Sequence, residues 1–247
     1  MDRDVVLEGL STLLGVRVSG LPKNNIPKNV VVLPVEKLIL RGIGGGHVFS
    51  DAAEIGIRSD AQQELFIDEE EFFDPQYDYD FTNLRDPSLC ERGDEPYKRP
   101  AGWNRAALKV RGKYEDGDDW LGPNGWRSYS APGEWPVSFH GTSGKGAKGI
   151  VEIGYEAGPR AVYGRGVYST PDINEAERYY AKTFTVNKTK KTYKVVVQNR
   201  VNPKHRKICQ RKDYWLIPVP EGTSAEKERK IVDCSIRPYG LLFKEVK

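Results

Sequence analysis

The chain has 247 residues, 30% of them charged, with a mean hydropathy of −0.61 and a formal net charge of +3. That length suits one large domain or two small ones, and no uncharged apolar run approaches the roughly 20 residues of a membrane helix, so no membrane contact is expected. Three widely spaced cysteines, Cys90, Cys209 and Cys234, show neither a CxxC pair nor a Cys/His ligand spacing. This argues against a disulfide framework and a metal site and leads us to expect a reducing, intracellular home, cytoplasmic or nuclear.

The opening MDRDVVLEGLSTLLGVRV mixes acids with its apolar residues and lacks the basic-then-apolar order of a signal peptide. NVVVLPVEKLILRG (29–42) has a β-branched run and then alternation, which predicts one or two strands. GIGGGH (42–47) reads as a loop; no helix start follows it, so it is a weak phosphate cradle. Residues 51–96 hold fifteen acids and three bases. Within them 67–96, acidic and rich in Pro and Asp, read as an extended linker or wrapped arm. We therefore divide the chain into an irregular N-terminal region, 1–96, and a folded domain, 97–247.

AALKVRGKY (106–114) predicts a strand, with Ala107, Lys109, Arg111 and Lys113 on one side. DGDDWLGPNGWRSYSAPGEW (116–135) is a turn-rich loop with three of the five tryptophans. WPVSFH (135–140) reads as a short strand ending at His140. KGAKGIVEIGY (145–155) reads as a short helix stopped at Gly154. Thr170-Pro171-Asp172 predicts a helix start, with Thr170 as cap and Pro171 at the first helical position. Ile173, Ala176, Tyr180 and Phe184 fall on one helical face. KTYKVVVQNRV (191–201), DYWLIPV (213–219) and, after Pro238, GLLFKEV predict strands. Many strands and a few short helices give an α+β class. Residues 181–212 hold eleven Lys/Arg and no acid. They are a solvated face or an attractor for a phosphate-bearing ligand or nucleic acid, which the acidic stretch could mask.

Several chemistries are rejected by pattern. SGKGAKG (143–149) lacks the spacing and ending of a phosphate loop. There is no GxSxG elbow, and no carboxylate pair suits glycoside hydrolysis. What remains is a pocket. His140 ends a strand, and Gly141 lets a ligand approach the backbone, whose polar groups could pair with a planar amide. Gly164 and Gly166 bracket Arg165 and lead to Tyr168, and Tyr179 lies eleven residues later, about three helical turns on. Two tyrosines so placed could sandwich an aromatic ring.

SFHGT (138–142), then YGRGVYSTPDINEAERYYA (163–181), resembles the diphtheria-toxin-like ADP-ribosyltransferases of the poly(ADP-ribose) polymerase type. Those proteins have a strand ending in His-Gly-Ser/Thr, a G-[KR]-G-[IV]-Y block and a helix with a second tyrosine. The likeness runs from about Trp135 to Lys247. It implies two packed, mostly antiparallel β-sheets with short flanking helices. It also implies NAD as co-substrate. His140 would hydrogen-bond the adenosine-side ribose, Gly141 would hold the nicotinamide carboxamide, and Tyr168 and Tyr179 would take the two faces of the nicotinamide ring. Thr142 would support the loop. A serine that binds the carboxamide is often found where this chain has Ala176. The third signature residue, a glutamate in polymer-forming members, falls on Asp213, or on Tyr214 one residue later. Loss of that glutamate implies single ADP-ribose transfer to a protein or nucleic-acid acceptor; the alternative is an inactive module of the same fold binding NAD, ADP-ribose or a protein partner.

Overall fold

The computed structural model describes residues 1–27, 30, 32–38, 64–84, 90–125, 127–141, 163–210 and 213–246. Helix α1 (Arg3–Leu14) opens the chain, capped by the Asp2 carboxylate, which accepts from the Asp4 N–H at 2.9 Å. It buries Val5, Val6, Leu10 and Leu13 on one face. Strand β1 (Arg17–Leu21) pairs in parallel with β2 (Glu64–Asp68). Helix α2 (Glu69–Phe72) follows, its N-terminal amides satisfied by Asp68. Then come β3 (Tyr79–Asp80), the hairpin of β4 (Cys90–Arg92) and β5 (Glu95–Tyr97), β6 (Asn104–Ala107) and β7 (Val137–His140). β8 (Gly166–Ser169), α3 (Ile173–Tyr179), β9 (Lys182–Thr185), β10 (Thr192–Val201), β11 (Lys207–Ile208), β12 (Trp215–Pro218), α4 (Ala225–Asp233) and β13 (Ile236–Glu245) complete the order. The class is α+β, with several antiparallel sheets and few short helices.

The main sheet has six strands, five of them in the path β3-β6-β13-β10-β7 and the sixth, β9, off it. β9 shares the β7 edge of β10: β9 pairs with Thr192–Val195 and β7 with Val197–Arg200. The long central strands are buried on both faces, which is why VVV and LLF read as continuous apolar runs. Val195, Val197, Leu241 and Phe243 point into one core, with α1 and the residues Val167, Trp215 and Ile217 of the second sheet. Val196 and Leu242 point into the other, with Phe81, Trp103, Val137, Phe139 and Ile173. The second sheet, β11-β12-β8, is antiparallel and joins the first through two hydrogen bonds between Phe139 and Thr170.

Pro238 lies inside β13 rather than before it. The sheet accommodates it with a bulge: Asn199 pairs with Pro238, Gln198 with Gly240, and Tyr239 is the extra residue.

Several sequence expectations are corrected. The described residues of 67–96 are not a linker. Phe72, Phe73 and Phe81 are buried, β3 pairs with β6, and Glu71 bridges Lys109 at 2.9 Å and Lys113 at 2.8 Å. Within 29–42, Pro34 interrupts the apolar run; Val32 makes a single bridge to Phe66 and Val35–Lys37 is a 3₁₀ turn. The strand expected at 106–114 runs instead over Asn104–Ala107, before Gly112 turns the chain at φ 68°. The helix after Pro171 is capped by Asp172, whose carboxylate accepts from Asn174 N–H at 2.9 Å, so Pro171 stands outside it; Phe184 belongs to β9. GIGGGH and the helix expected at 145–155 lie outside the described residues.

The Trp-rich loop is organised around one cation. The buried Arg237 guanidinium lies 4.0 Å from the Tyr114 ring centroid, 4.5 Å from Trp135 and 5.2 Å from Trp120, and pairs with Asp116 at 2.8 Å. Lys182 is buried beneath α1, where its ammonium donates to the carbonyls of Thr12 at 2.7 Å and Leu13 at 3.4 Å. That satisfies acceptors the last helical turn leaves open. The basic stretch is partly neutralised by acids from across the chain. Lys188 pairs with Asp4, Lys191 with Glu245, Lys194 with Glu177, and Arg206 with Glu95. Among these, only Glu95 comes from the acidic stretch. All three cysteines are unpaired, and among the described residues no helix is long and apolar enough to cross a membrane.

Candidate functional site

β7 carries His140 to the seam between the two sheets. All four residues of the strand are buried. Phe139 locks onto Thr170, its N–H donating at 2.7 Å and its carbonyl accepting at 3.0 Å. His140 opposes Val197, so its side chain falls on the other sheet face, toward β8. There its Nδ1 lies 2.7 Å from the Tyr168 carbonyl. A carbonyl only accepts, so Nδ1 carries the proton. The ring is 5% exposed, and burial pushes its pKa down to about 4 despite that hydrogen bond. The imidazole is therefore neutral, and its Nε2 is a buried lone pair with no hydrogen-bond partner among the described residues. Such an atom is set up to accept from a hydroxyl.

Gly141 follows on the same strand end. A Cβ there would run into the backbone carbonyl of Tyr180, so this position is closed to any side chain by the turn after α3. The glycine thus has a packing role as well as leaving its own amide bare of side chain. Thr142 lies outside the described residues.

Tyr168 sits on β8 opposite Leu216. Its half-buried ring is held by its hydroxyl, which donates to the Gly164 carbonyl at 2.6 Å, and burial raises its pKa. Gly164 at φ 108° and Gly166 at φ 154° shape the approach; at Gly166 a Cβ would strike the Ile217 carbonyl. Tyr179 is the last residue of α3 and 49% exposed, with the Arg178 guanidinium 5.1 Å from its ring centroid. Ala176, three residues earlier, is fully buried against the core shared with Phe139 and Ile173.

β12 starts at Trp215, so both candidates for the third position precede it. Asp213 is half-buried beside Tyr214. Tyr214 belongs to a network that sequence reasoning missed. Its hydroxyl donates to Glu175 at 2.5 Å and accepts from the Tyr180 hydroxyl at 2.7 Å. The Tyr180 and Tyr214 rings meet edge to face at 5.9 Å. Burial and the Glu175 carboxylate both hold the Tyr214 phenol well above its ordinary pKa. These groups lie 34 and 39 residues apart, and no local pattern connects them. Among the described residues no cluster of His, Cys, Asp and Glu could hold a metal.

No protein-family model matches the chain, and no curated protein matches it.

Proposed function

We propose that this protein transfers a single ADP-ribose from NAD to a protein or nucleic-acid acceptor, with release of nicotinamide. The observation that carries the reading is His140: a neutral, buried imidazole, fixed by the Tyr168 backbone, with an acceptor at Nε2 that no described residue partners. A ribose hydroxyl of NAD is the donor it would take. The Gly141 backbone would pair with the carboxamide, and Tyr168 and Tyr179 would flank the nicotinamide ring. When the glycosidic C–N bond breaks, its electron pair leaves with nicotinamide and the ribose becomes oxocarbenium-like. The acceptor's nucleophilic atom then bonds the anomeric carbon and gives up its proton. A carboxylate at Asp213, close to the ribose, would stabilise that positive charge by about 2.7–4 kcal/mol.

The test is free nicotinamide released from NAD by the purified protein. We expect release, with loss of about 100-fold or more in His140→Ala and in Asp213→Ala. A wild type that neither releases nicotinamide nor binds NAD would sink the proposal. A second reading, an inactive module that binds NAD, is favoured by Ala176. Its methyl group is packed into the core and offers no hydroxyl for the carboxamide. NAD binding without turnover, abolished in His140→Ala, would select it.

A further inference from the structure

The face of the main sheet turned away from His140 carries a cavity of about 240 Å³. Register separates the two. His140 opposes Val197, whose side chain enters the core containing α1, whereas Val137 opposes Arg200 on the face of Phe139. The two sites also lie at opposite ends of β7, roughly 10 Å apart along the strand.

Among the described residues five arginines line this cavity, Arg92, Arg99, Arg105, Arg111 and Arg200, and one carboxylate, Asp74. Behind them a buried glutamate, Glu134, is shared among three guanidinium groups. It meets Arg127 at 2.5 Å, Arg200 at 2.9 Å and Arg92 at 3.7 Å. One negative charge cannot balance three positive ones, so positive charge is left over in a buried setting that makes it costly. Arg200 is nine-tenths buried, and among the described residues neither its Nε nor that of Arg105 has a partner.

The arginines are held in place before any ligand arrives. Arg105 donates to the Tyr77 carbonyl at 2.8 Å and Arg200 to the Leu121 carbonyl at 2.8 Å. The Arg105 and Arg200 guanidinium groups lie 5.7 and 5.1 Å from the Tyr239 ring, and Arg111 lies 5.4 Å from Tyr77. Tyr79, Phe81 and Tyr97 add further aromatic wall, and Ala107, Leu108 and Val110 an apolar one. Fixed guanidinium forks suit oxyanions that accept from several donors at once. A dianion would offset the surplus charge better than a carboxylate, and the aromatic wall suits a flat body behind it.

We propose that this cavity is a second ligand site, for a small phosphate monoester carried on a flat apolar ring. It is independent of the NAD reading, since it shares no residue with the His140 site. Phenyl phosphate is the probe, titrated into the whole protein by calorimetry, with phenol as the uncharged control. We expect saturable binding of phenyl phosphate and none of phenol. Affinity should fall at least tenfold in Arg105→Gln and Arg111→Gln and stay unchanged in His140→Ala. Arg111 is exposed, so that variant reports even if Arg105→Gln fails to fold. No saturable binding, equal binding of phenol, or affinity unchanged in Arg111→Gln each overturns the proposal. So does affinity lost in His140→Ala, which would move the ligand to the other face.

Discussion

At the His140 end of β7 the protein buries one titratable group and keeps it neutral. At the Val137 end it buries Arg92, Arg127, Glu134 and Arg200 and keeps them charged. The difference lies in the company each group has. Among the described residues His140 has only a backbone carbonyl, which cannot outweigh burial, so the proton is shed. Burial also works to raise the pKa of Glu134, but the hydrogen bond from Arg127 and the charge of Arg200 prevail and hold it below its ordinary value. A lone lone pair is suited to a hydroxyl; surplus guanidinium charge is suited to an anion. One strand therefore ends in two kinds of chemistry.

The contrast can be broken most forcefully at Glu134. Glu134→Gln leaves three buried guanidinium groups without their counter-charge and should cost about 3–5 kcal/mol, read as the loss of unfolding free energy in urea. A loss under about 1 kcal/mol would mean that the cluster is held by packing and backbone carbonyls instead.

Acid separates the two ends. The unfolded chain protonates His140 near pH 6.5 and the folded protein not until about pH 4, so the stability this residue contributes is complete above pH 6.5 and declines toward pH 4. At 1.36 kcal/mol per unit this reaches up to about 3 kcal/mol. Glu134, with its pKa depressed, adds a further decline only below its unfolded value of about 4.5. Unfolding curves at half-unit pH steps should show both phases, and His140→Gln should erase the upper one alone. An upper phase that persists in that variant would place its source in another group.

Gly141→Ala is the next smaller test. The new methyl must displace the Tyr180 carbonyl, an overpacking cost of about 1–3 kcal/mol, and it should shift the end of α3 enough to lower NAD binding as well. A variant as stable as the parent would show that the turn after α3 gives way freely. The smallest effect belongs to Tyr180→Phe, which removes one hydrogen bond to Tyr214 at about 0.5–1.5 kcal/mol. If nicotinamide release falls more steeply than stability does, the Glu175–Tyr214–Tyr180 chain acts on the reaction and not on folding alone.

Much of the sheet was legible from sequence. WPVSFH, KTYKVVVQNRV and DYWLIPV each contain a strand near the expected bounds, because β-branched and aromatic runs between Pro, Asn and Asp are strong signals. His140 at the end of its strand and Tyr168 beside glycines were legible for the same reason. The acidic 67–96 segment was misread because composition speaks for its exposed face. Glu71 reaches Lys109 and Lys113 in sequence-distant contacts, while Phe72 and Phe73 are buried. The Glu134 cluster was invisible: its partners come from residues 92, 127 and 200, and only the fold assembles them.

The bulge at Tyr239 carries a consequence for insertion and deletion. Before it, Ile236 enters the α1 core; after it, Leu241 and Phe243 enter that core and Leu242 the other. Removing Tyr239 itself would regularise the ladder and leave Leu241, Leu242 and Phe243 opposite their present partners and on their present faces, whereas removing a residue elsewhere in the strand would turn the side chains beyond it inside out. The first deletion would take away only the ring that backs the Arg105 and Arg200 guanidinium groups; the second would make Leu242 trade places with its neighbours. The strand can therefore be edited letter by letter through substitution, but its length can change at Tyr239 without rewriting the face each later residue takes, and nowhere else between Ile236 and Glu245.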